Sequence, residues 1–322
     1  MADVVVVGSF VQDQIWRVDR FPDAGETRRA EGFVAGAGGK GFNQAVASAR
    51  QGAATAFVGA VGDDAGGRAA RASAAADAIA ARWQVVADAP TGSAGILVDR
   101  SGQNRIVVAL GANEHLDPAF VHAQAALLGG ARVVLAQLEN QLDATRAALA
   151  AAASGTALRV LDPAPAHDGV DAALLALCDL ITPNETEFAG LLEHVAGVRV
   201  DAAALAARSD AELHALARRL PVATVVVTLG ARGCFVSHAD ARRRGDDAAC
   251  YRLAPEPVAA IDATGAGDAF AGALAAALVR FGDAPFRDAA RHANRCAALS
   301  TECVGTVAAM PRFDDVRHRF GA

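Results

Sequence analysis

A doubly wound α/β fold follows from the way this 322-residue, 53% hydrophobic chain alternates two patterns: short continuous apolar runs, and alanine-rich stretches of helical period. Val4–Val7, closed by Gly8, is the first such run, and its lack of alternation marks a strand buried on both faces, as in a parallel sheet. Residues 131–138, 158–161, 177–181 and 222–229 repeat the pattern. Between the runs lie the predicted helices 66–82, 141–153 and 201–220. Two segments break this rhythm. Residues 91–110 read as a hairpin, with Ser101-Gly102 turning between 96–98 and 106–109, and residues 11–36 carry no helical pattern. Together they are expected to form a small β-strand lid over the ligand edge of one domain spanning 1–322.

Composition excludes several classes of function. A net charge of −6 and an isoelectric point near 5.7 oppose a nucleic-acid partner, because neutralising phosphates needs a basic face. The one basic run, Arg242-Arg243-Arg244, is followed by Asp246-Asp247 and reads as a solvated loop. No apolar stretch approaches the roughly 20 residues of a membrane span. The amino terminus has no basic region and no small-residue cleavage site, so a cytoplasmic location is expected. Five widely spaced cysteines without a C-x-x-C pair fit reduced thiols.

Of the 30 Lys and Arg residues, only Lys40 is lysine, and it stands inside Gly38-Gly39-Lys40-Gly41. An ammonium is a compact point charge and a guanidinium a wide planar fork, so a tight glycine pocket accepts the first and excludes the second. The same stretch, Gly36 to Gly41, matches G-x-G-x-x-G with Asp63 downstream. A dinucleotide fingerprint, however, follows the first strand directly, and here nearly thirty residues intervene. Gly41 occupies the place of the Ser or Thr that a Walker A loop requires. Ile261 to Phe270 runs into the helical pattern Phe270, Leu274, Leu278, so Gly265, Ala266 and Gly267 fall at a helix start, where free N–H groups and the helix dipole hold a phosphoryl group. Asp268 beside that turn is placed to take the proton of a hydroxyl attacking phosphorus, although an aspartate at a helix start is commonly a cap.

Lys40 with Asn43 and Gln44, residues 59–64 and Asp262 to Asp268 stand in the order found in the ribokinase-like carbohydrate kinases, the PfkB family, which the chain resembles. Gly111-Ala112-Asn113, Gln137-Leu138-Glu139, Asp162 to Pro165, Pro183 to Glu187 and Thr228 to Gly233 extend the resemblance from Val4 to about Pro311. It implies a ribokinase-like doubly wound sheet and ATP-dependent phosphorylation of the primary hydroxyl of a pentofuranose, foremost D-ribose at O5. The alternatives are a 2-deoxyribokinase, a nucleoside kinase or a hexose kinase; more remote are a non-catalytic sugar-binding regulator and a dinucleotide oxidoreductase.

By the resemblance, Asp268 is the catalytic base and the amides of Gly265, Ala266 and Gly267 form the anion hole. Val11, Gln12, Asp13, Gly39, Lys40, Gly41, Asn43, Glu139 and Asp268 surround the sugar, whose hydroxyls need donors and acceptors at fixed positions. Asn184, Thr228, Leu229, Gly230, Ala231, Arg232, Gly233, Gly267 and Asn294 belong to the nucleotide site. Asn184 and Glu187 act on Mg²⁺ through water, and Asp262, Thr264, Ser300, Cys303 and Gly305 hold an activating K⁺. A homodimer through the lid is also implied. Three positions depart from the pattern: Val11 where some relatives have asparagine, Phe42 in place of a small residue, and Ala309 in place of a serine. The first two bear on the shape of the sugar pocket and the third on the cation.

Overall fold

The computed structural model of the protein describes residues 2–239 and 244–321, so Arg242 and Arg243 of the basic run lie outside the described residues. Its strands are β1 Val4–Val7, β2 Val11–Arg17, β3 Gly32–Gly38, β4 Thr55–Gly62, β5 Ala80–Val86, β6 Gly92–Val98, β7 Asn104–Ala109, β8 Val133–Ala136, β9 Leu158–Leu161, β10 Leu180–Ile181, β11 Thr224–Thr228, β12 Cys234–His238 and β13 Cys250–Leu253. The helices are α1 Lys40–Arg50, α2 Ala65–Ala76, α3 Pro118–His122, α4 Ala125–Gly129, α5 Leu142–Ala152, α6 Ala172–Ala176, α7 Glu185–Ala196, α8 Ala202–Leu205, α9 Asp210–Ala217, α10 Ala266–Arg280, α11 Phe286–Ser300 and α12 Phe313–Phe320.

Nine strands form the main sheet in the order β13-β12-β11-β10-β9-β8-β1-β4-β5. Pairing is parallel from β11 through to β5, and β12 and β13 are added antiparallel. The chain enters at β1, builds outward through β4 and β5, then returns to the other side of β1 with β8. The strand order therefore reverses between β1 and β8, and a ligand crevice is expected outside the carboxyl ends of these strands. All four valines of β1 are fully buried, as a strand covered on both faces demands, and each contributes about 1.5–3 kcal/mol relative to an exposed side chain.

Residues 11–36 and 91–110 supply most of a second sheet, ordered β3-β2-β6-β7. The hairpin is present as β6 and β7, with Ile96 opposite Ile106. Phe33, Val34, Ile106, Val107 and Val108 leave apolar surface exposed on its two edge strands.

Several predicted boundaries shift. Helix 66–82 stops at Ala76, and its last residues join the edge strand β5, where pairing with β4 overrides the helical propensity of alanine. Stretch 201–220 is two helices, because Ser209 and Glu212 close a capping box that starts α9 anew. Leu177 and Cys178 end α6 rather than begin a strand, leaving only Leu180–Ile181 extended. Strands β4, β12 and β13 were not expected from the sequence pattern.

Helix α1 is seated by two glycine contacts. A Cβ on Gly41 would lie 2.5 Å from the Cα of Gly8, and one on Gly272 would lie 2.3 Å from the carbonyl oxygen of Gln44, so α1 rests on the end of β1 and on α10 without intervening side chains. Asn113, by contrast, serves the backbone: it accepts from the amide of Phe10 at 3.0 Å and donates to the carbonyls of Phe10 and Leu110, both at 2.8 Å.

The junction between the sheets is tied by Asp64. Its carboxylate accepts from the amide of Gly67 at 2.8 Å, capping α2, and from the amide and hydroxyl of Thr91 at 2.8 and 2.6 Å. Burial opposes its charge, but these bonds outweigh burial and lower its pKa below 3.8. Because the folded pKa is depressed, the stabilisation is present at neutral pH and is lost as pH falls through that value. Asp64→Ala should therefore cost about 1–2 kcal/mol in urea unfolding at pH 7, and the difference from wild type should shrink below about pH 4.

Candidate active site

The polar groups at the carboxyl ends of β1, β8 and β9 converge on the amino end of α1. Ser9 Oγ donates to Glu139 Oε2 at 2.6 Å, and the amide of Lys40 donates to the same oxygen at 2.9 Å. Asp268 is buried in the first turn of α10, and its carboxylate does not cap that helix. It is held from α1 instead: Asn43 Nδ2 donates to Oδ2 at 2.9 Å and Gln44 Nε2 to Oδ1 at 3.0 Å. Gly265, at φ 77°, supplies the left-handed N-cap that a residue with a Cβ enters only at a cost. The amide of Ala266 is turned inward to the carbonyl of Ala263 at 3.2 Å. Gly267 is exposed, and the amides of this first turn have no intrahelical acceptor.

Lys40 carries the positive charge of this cluster. Burial disfavours its ammonium, but the fields of Asp268, Asp162, Glu139 and Glu187 exceed that penalty and raise its pKa. The acids feel the converse. Asp162 is raised well above 3.8, first by burial and then by Glu187. Glu187 is also raised by burial, against the amide of Asn184. Asp13, on β2 with Thr306 Oγ1 at 3.3 Å, is raised to about 6 by burial and by Glu139 and Asp268.

The remaining predicted sugar-site residues divide. Gly39 and Gly41 flank Lys40 at the start of α1. Val11 is buried and shares a face of β2 with Asp13, whereas Gln12 alternates to the other face, where its Oε1 would meet a Cβ on Gly66 at 3.2 Å. Phe42 is fully buried among aromatic rings, 5.2 Å from Phe10 and 5.7 Å from Phe57, so its bulk is spent on the core.

A cleft of about 720 Å³ adjoins this cluster and is lined by Asn184, Thr228, Gly230, Ala231, Gly233, Gly267 and Asn294. The expected Leu229 and Arg232 are not in its lining; Leu229 is buried in the core and Arg232 is exposed on the turn. Pro257, Val258, Phe270, Ala297 and Ala298 complete the cleft with apolar surface, a contribution with no signature in the sequence. A groove of similar size, about 760 Å³, opens at the amino ends of β8 and β9 around Arg132 and Arg159 and contains none of the predicted residues.

Asn184 and Glu187 form a reciprocal capping box at the start of α7: Asn184 Oδ1 accepts from the amide of Glu187 at 2.9 Å, and Glu187 Oε2 accepts from that of Asn184 at 2.8 Å. This leaves Glu187 Oε1 and the second lone pair of Asn184 Oδ1 to accept from the waters of a hydrated Mg²⁺, and Asn184 Nδ2 to donate to an anion. Asp262 laces two loops, its Oδ1 taking the amide of Thr264 at 2.9 Å and its Oδ2 that of Gly305 at 3.0 Å. Each oxygen of this carboxylate has one amide partner and keeps a further lone pair, which a cation here would share with backbone carbonyls. Ser300 is buried at the end of α11, while Cys303 is exposed on the loop that follows.

Buried polar residues without an expected role link these parts: Ser9, Gln44, Gln137 and Asp162. Asp162 was findable as the first polar residue after the buried run of β9, at a strand end where ligands bind. No helix among the described residues is long and apolar enough to cross a membrane.

A family model described as pfkB family carbohydrate kinase matches residues 1–312. The chain is 36% identical to the ribokinase of Haemophilus influenzae over 309 residues, covering 96% of this chain and 95% of that protein. It is 31% identical to the deoxyribokinase of Salmonella typhi, covering 97% and 96%. Among solved structures, a ribokinase from Giardia lamblia superposes with a TM-score of 0.84 at 30% identity, covering 99% of this chain and 98% of that one. Arabidopsis thaliana ribokinase complexed with ribose and ATP gives 0.79 at 28% identity, covering 100% and 99%. With its doubly wound sheet, its acid and lysine cluster and this match along nearly its whole length, the chain belongs to the pfkB family of carbohydrate kinases.

Proposed function

We propose that this chain transfers the γ-phosphoryl group of ATP to the primary hydroxyl of a pentofuranose, foremost O5 of D-ribose. The observation that carries this reading is the position of Asp268, buried between the cleft and the cluster around Lys40. The sugar lies against Asp13, Gly39, Lys40, Asn43 and Glu139, and the nucleotide occupies the cleft. Asp268 accepts the O5 proton as O5 attacks the γ-phosphorus, and the bond from that phosphorus to the β,γ-bridging oxygen breaks to release ADP. Unpaired amides at the start of α10 face the developing negative charge, and Lys40 offsets it from the sugar side. Asn184 and Glu187 would hold Mg²⁺ through water; the ion supplies charge neutralisation at the phosphates. Backbone oxygens around Asp262, Thr264, Ser300, Cys303 and Gly305 are assigned to K⁺.

The second sheet is assigned as a lid whose closure excludes water, and its exposed apolar strands as the contact of a homodimer. A cytoplasmic enzyme fits its five unpaired cysteines.

In a coupled ADP-release assay across ribose, 2-deoxyribose, fructose and adenosine, ribose should give the highest kcat/KM; preference for 2-deoxyribose would move the chain to the deoxyribokinase reading. Asp268→Asn should abolish nearly all turnover while sugar binding by calorimetry persists, and retained activity would remove Asp268 as the base. Lys40→Arg should raise the sugar KM or lower kcat by at least about tenfold, or about 1.4 kcal/mol, because a planar guanidinium does not fit the glycine-flanked position. The sugar hydroxyls donate to the ionised form of Asp13, whose pKa is raised to about 6. Sugar kcat/KM should therefore hold above that pH and decline below it, and Asp13→Asn should flatten this acid limb.

A further inference from the structure

We infer that Gln44 is a positioning residue that fixes the carboxylate of Asp268 for proton abstraction, with Gln137 fixing Gln44 in turn. This rests on the reading of Asp268 as the base. Gln44 is fully buried in α1, and its Nε2 lies 3.0 Å from Asp268 Oδ1 and 2.7 Å from Asp162 Oδ2, so the two hydrogens of one amide serve two carboxylates. Its Oε1 accepts from Gln137 Nε2 at 2.5 Å. That bond is made only when the Nε2 end of the Gln44 amide faces the acids. The reverse orientation would aim a carbonyl oxygen at two carboxylates.

Asn43 reaches the other oxygen of Asp268 at 2.9 Å from the preceding position of the helix. Successive helical residues project about 100° apart, so the two amides grip the carboxylate from different sides and hold its plane. Each Asp268 oxygen keeps acceptor capacity beyond its one amide bond. A neutral amide suits this role better than a cation, because a second positive charge against Asp268 would lower its basicity. Asp162 completes the brace, fully enclosed and held from its far side by Thr182 Oγ1 at 3.3 Å.

A structural bond and a positioning bond differ in what their loss moves. Gln44→Met keeps the shape and removes both donors. It should lower kcat at least tenfold while the sugar and ATP KM values stay within about threefold. In the residual turnover of Asp268→Asn, measured at high enzyme concentration, the same substitution should change the rate less than about twofold, because a residue acting through Asp268 has nothing left to position. Gln137→Met, which leaves Gln44 in place but frees its Oε1, should give a smaller loss in kcat alone; it carries the test if Gln44→Met does not fold. Wild-type kcat in a folded Gln44→Met protein, equal losses in both backgrounds, or wild-type kcat in Gln137→Met where Gln44→Met fails to fold would overturn the inference. Full turnover by Asp268→Asn would instead overturn the assignment of the base.

Discussion

One ammonium group makes the active site possible. Asp162, Glu187, Asp268 and Glu139 all act on Lys40, and three of these four carboxyl groups are buried. Removing an ion from water carries an effective penalty of several kcal/mol, which is offset only by an opposite charge and satisfied hydrogen bonds. Burial already pushes Asp162 and Glu187 up, and without the opposing field of Lys40 both would rise further. The amides of Asn43 and Gln44 add neutral donors to the same group of acids, so a single turn of α1 supplies both the charge and the hydrogen bonds.

Topology explains why so many acids meet. The reversal of strand order between β1 and β8 opens a crevice at their carboxyl ends, and the strands at that edge deliver polar residues just past their last buried apolar positions: Ser9 after β1, Gln137 and Glu139 after β8, Asp162 after β9. Helices α1 and α10 then bring their amino ends to this edge, where the dipole of α10 favours the negative charge of a phosphoryl group. The cleft proposed for the nucleotide begins where that cluster stops, with Gly267 on its wall one residue from Asp268.

The parts legible in the sequence were those encoded by local chemistry: apolar runs, glycines beside a charged residue, an acid at a helix start. Strand β4 escaped because its apolar residues are mostly alanine and glycine, and β5 because alanine also reads as helix; pairing settles both. Phe42 stands two residues from Lys40 in the chain, yet that step around the helix, about 200°, turns it into the core. The brace around Asp268 was hidden for another reason. Gln44 and Asp268 are 224 residues apart, and no local pattern announces a bond between them.

The bare glycine contacts that seat α1 on β1 and on α10 limit how the site can change. Backbone meets backbone at those points, with only the methyl of Ala47 and the end of Gln137 beside them, so Lys40, Asn43 and Gln44 have little room for gradual adjustment. Asp13 and Val11 reach the same cluster from a separate sheet, and glycines press on them too: a Cβ on Gly38 would lie 2.3 Å from Asp13 Oδ2, and one on Gly39 2.7 Å from the backbone nitrogen of Val11. Both sheets thus reach the cluster through backbone that admits no extra carbon, so a side chain there is exchanged at least cost for one of similar volume.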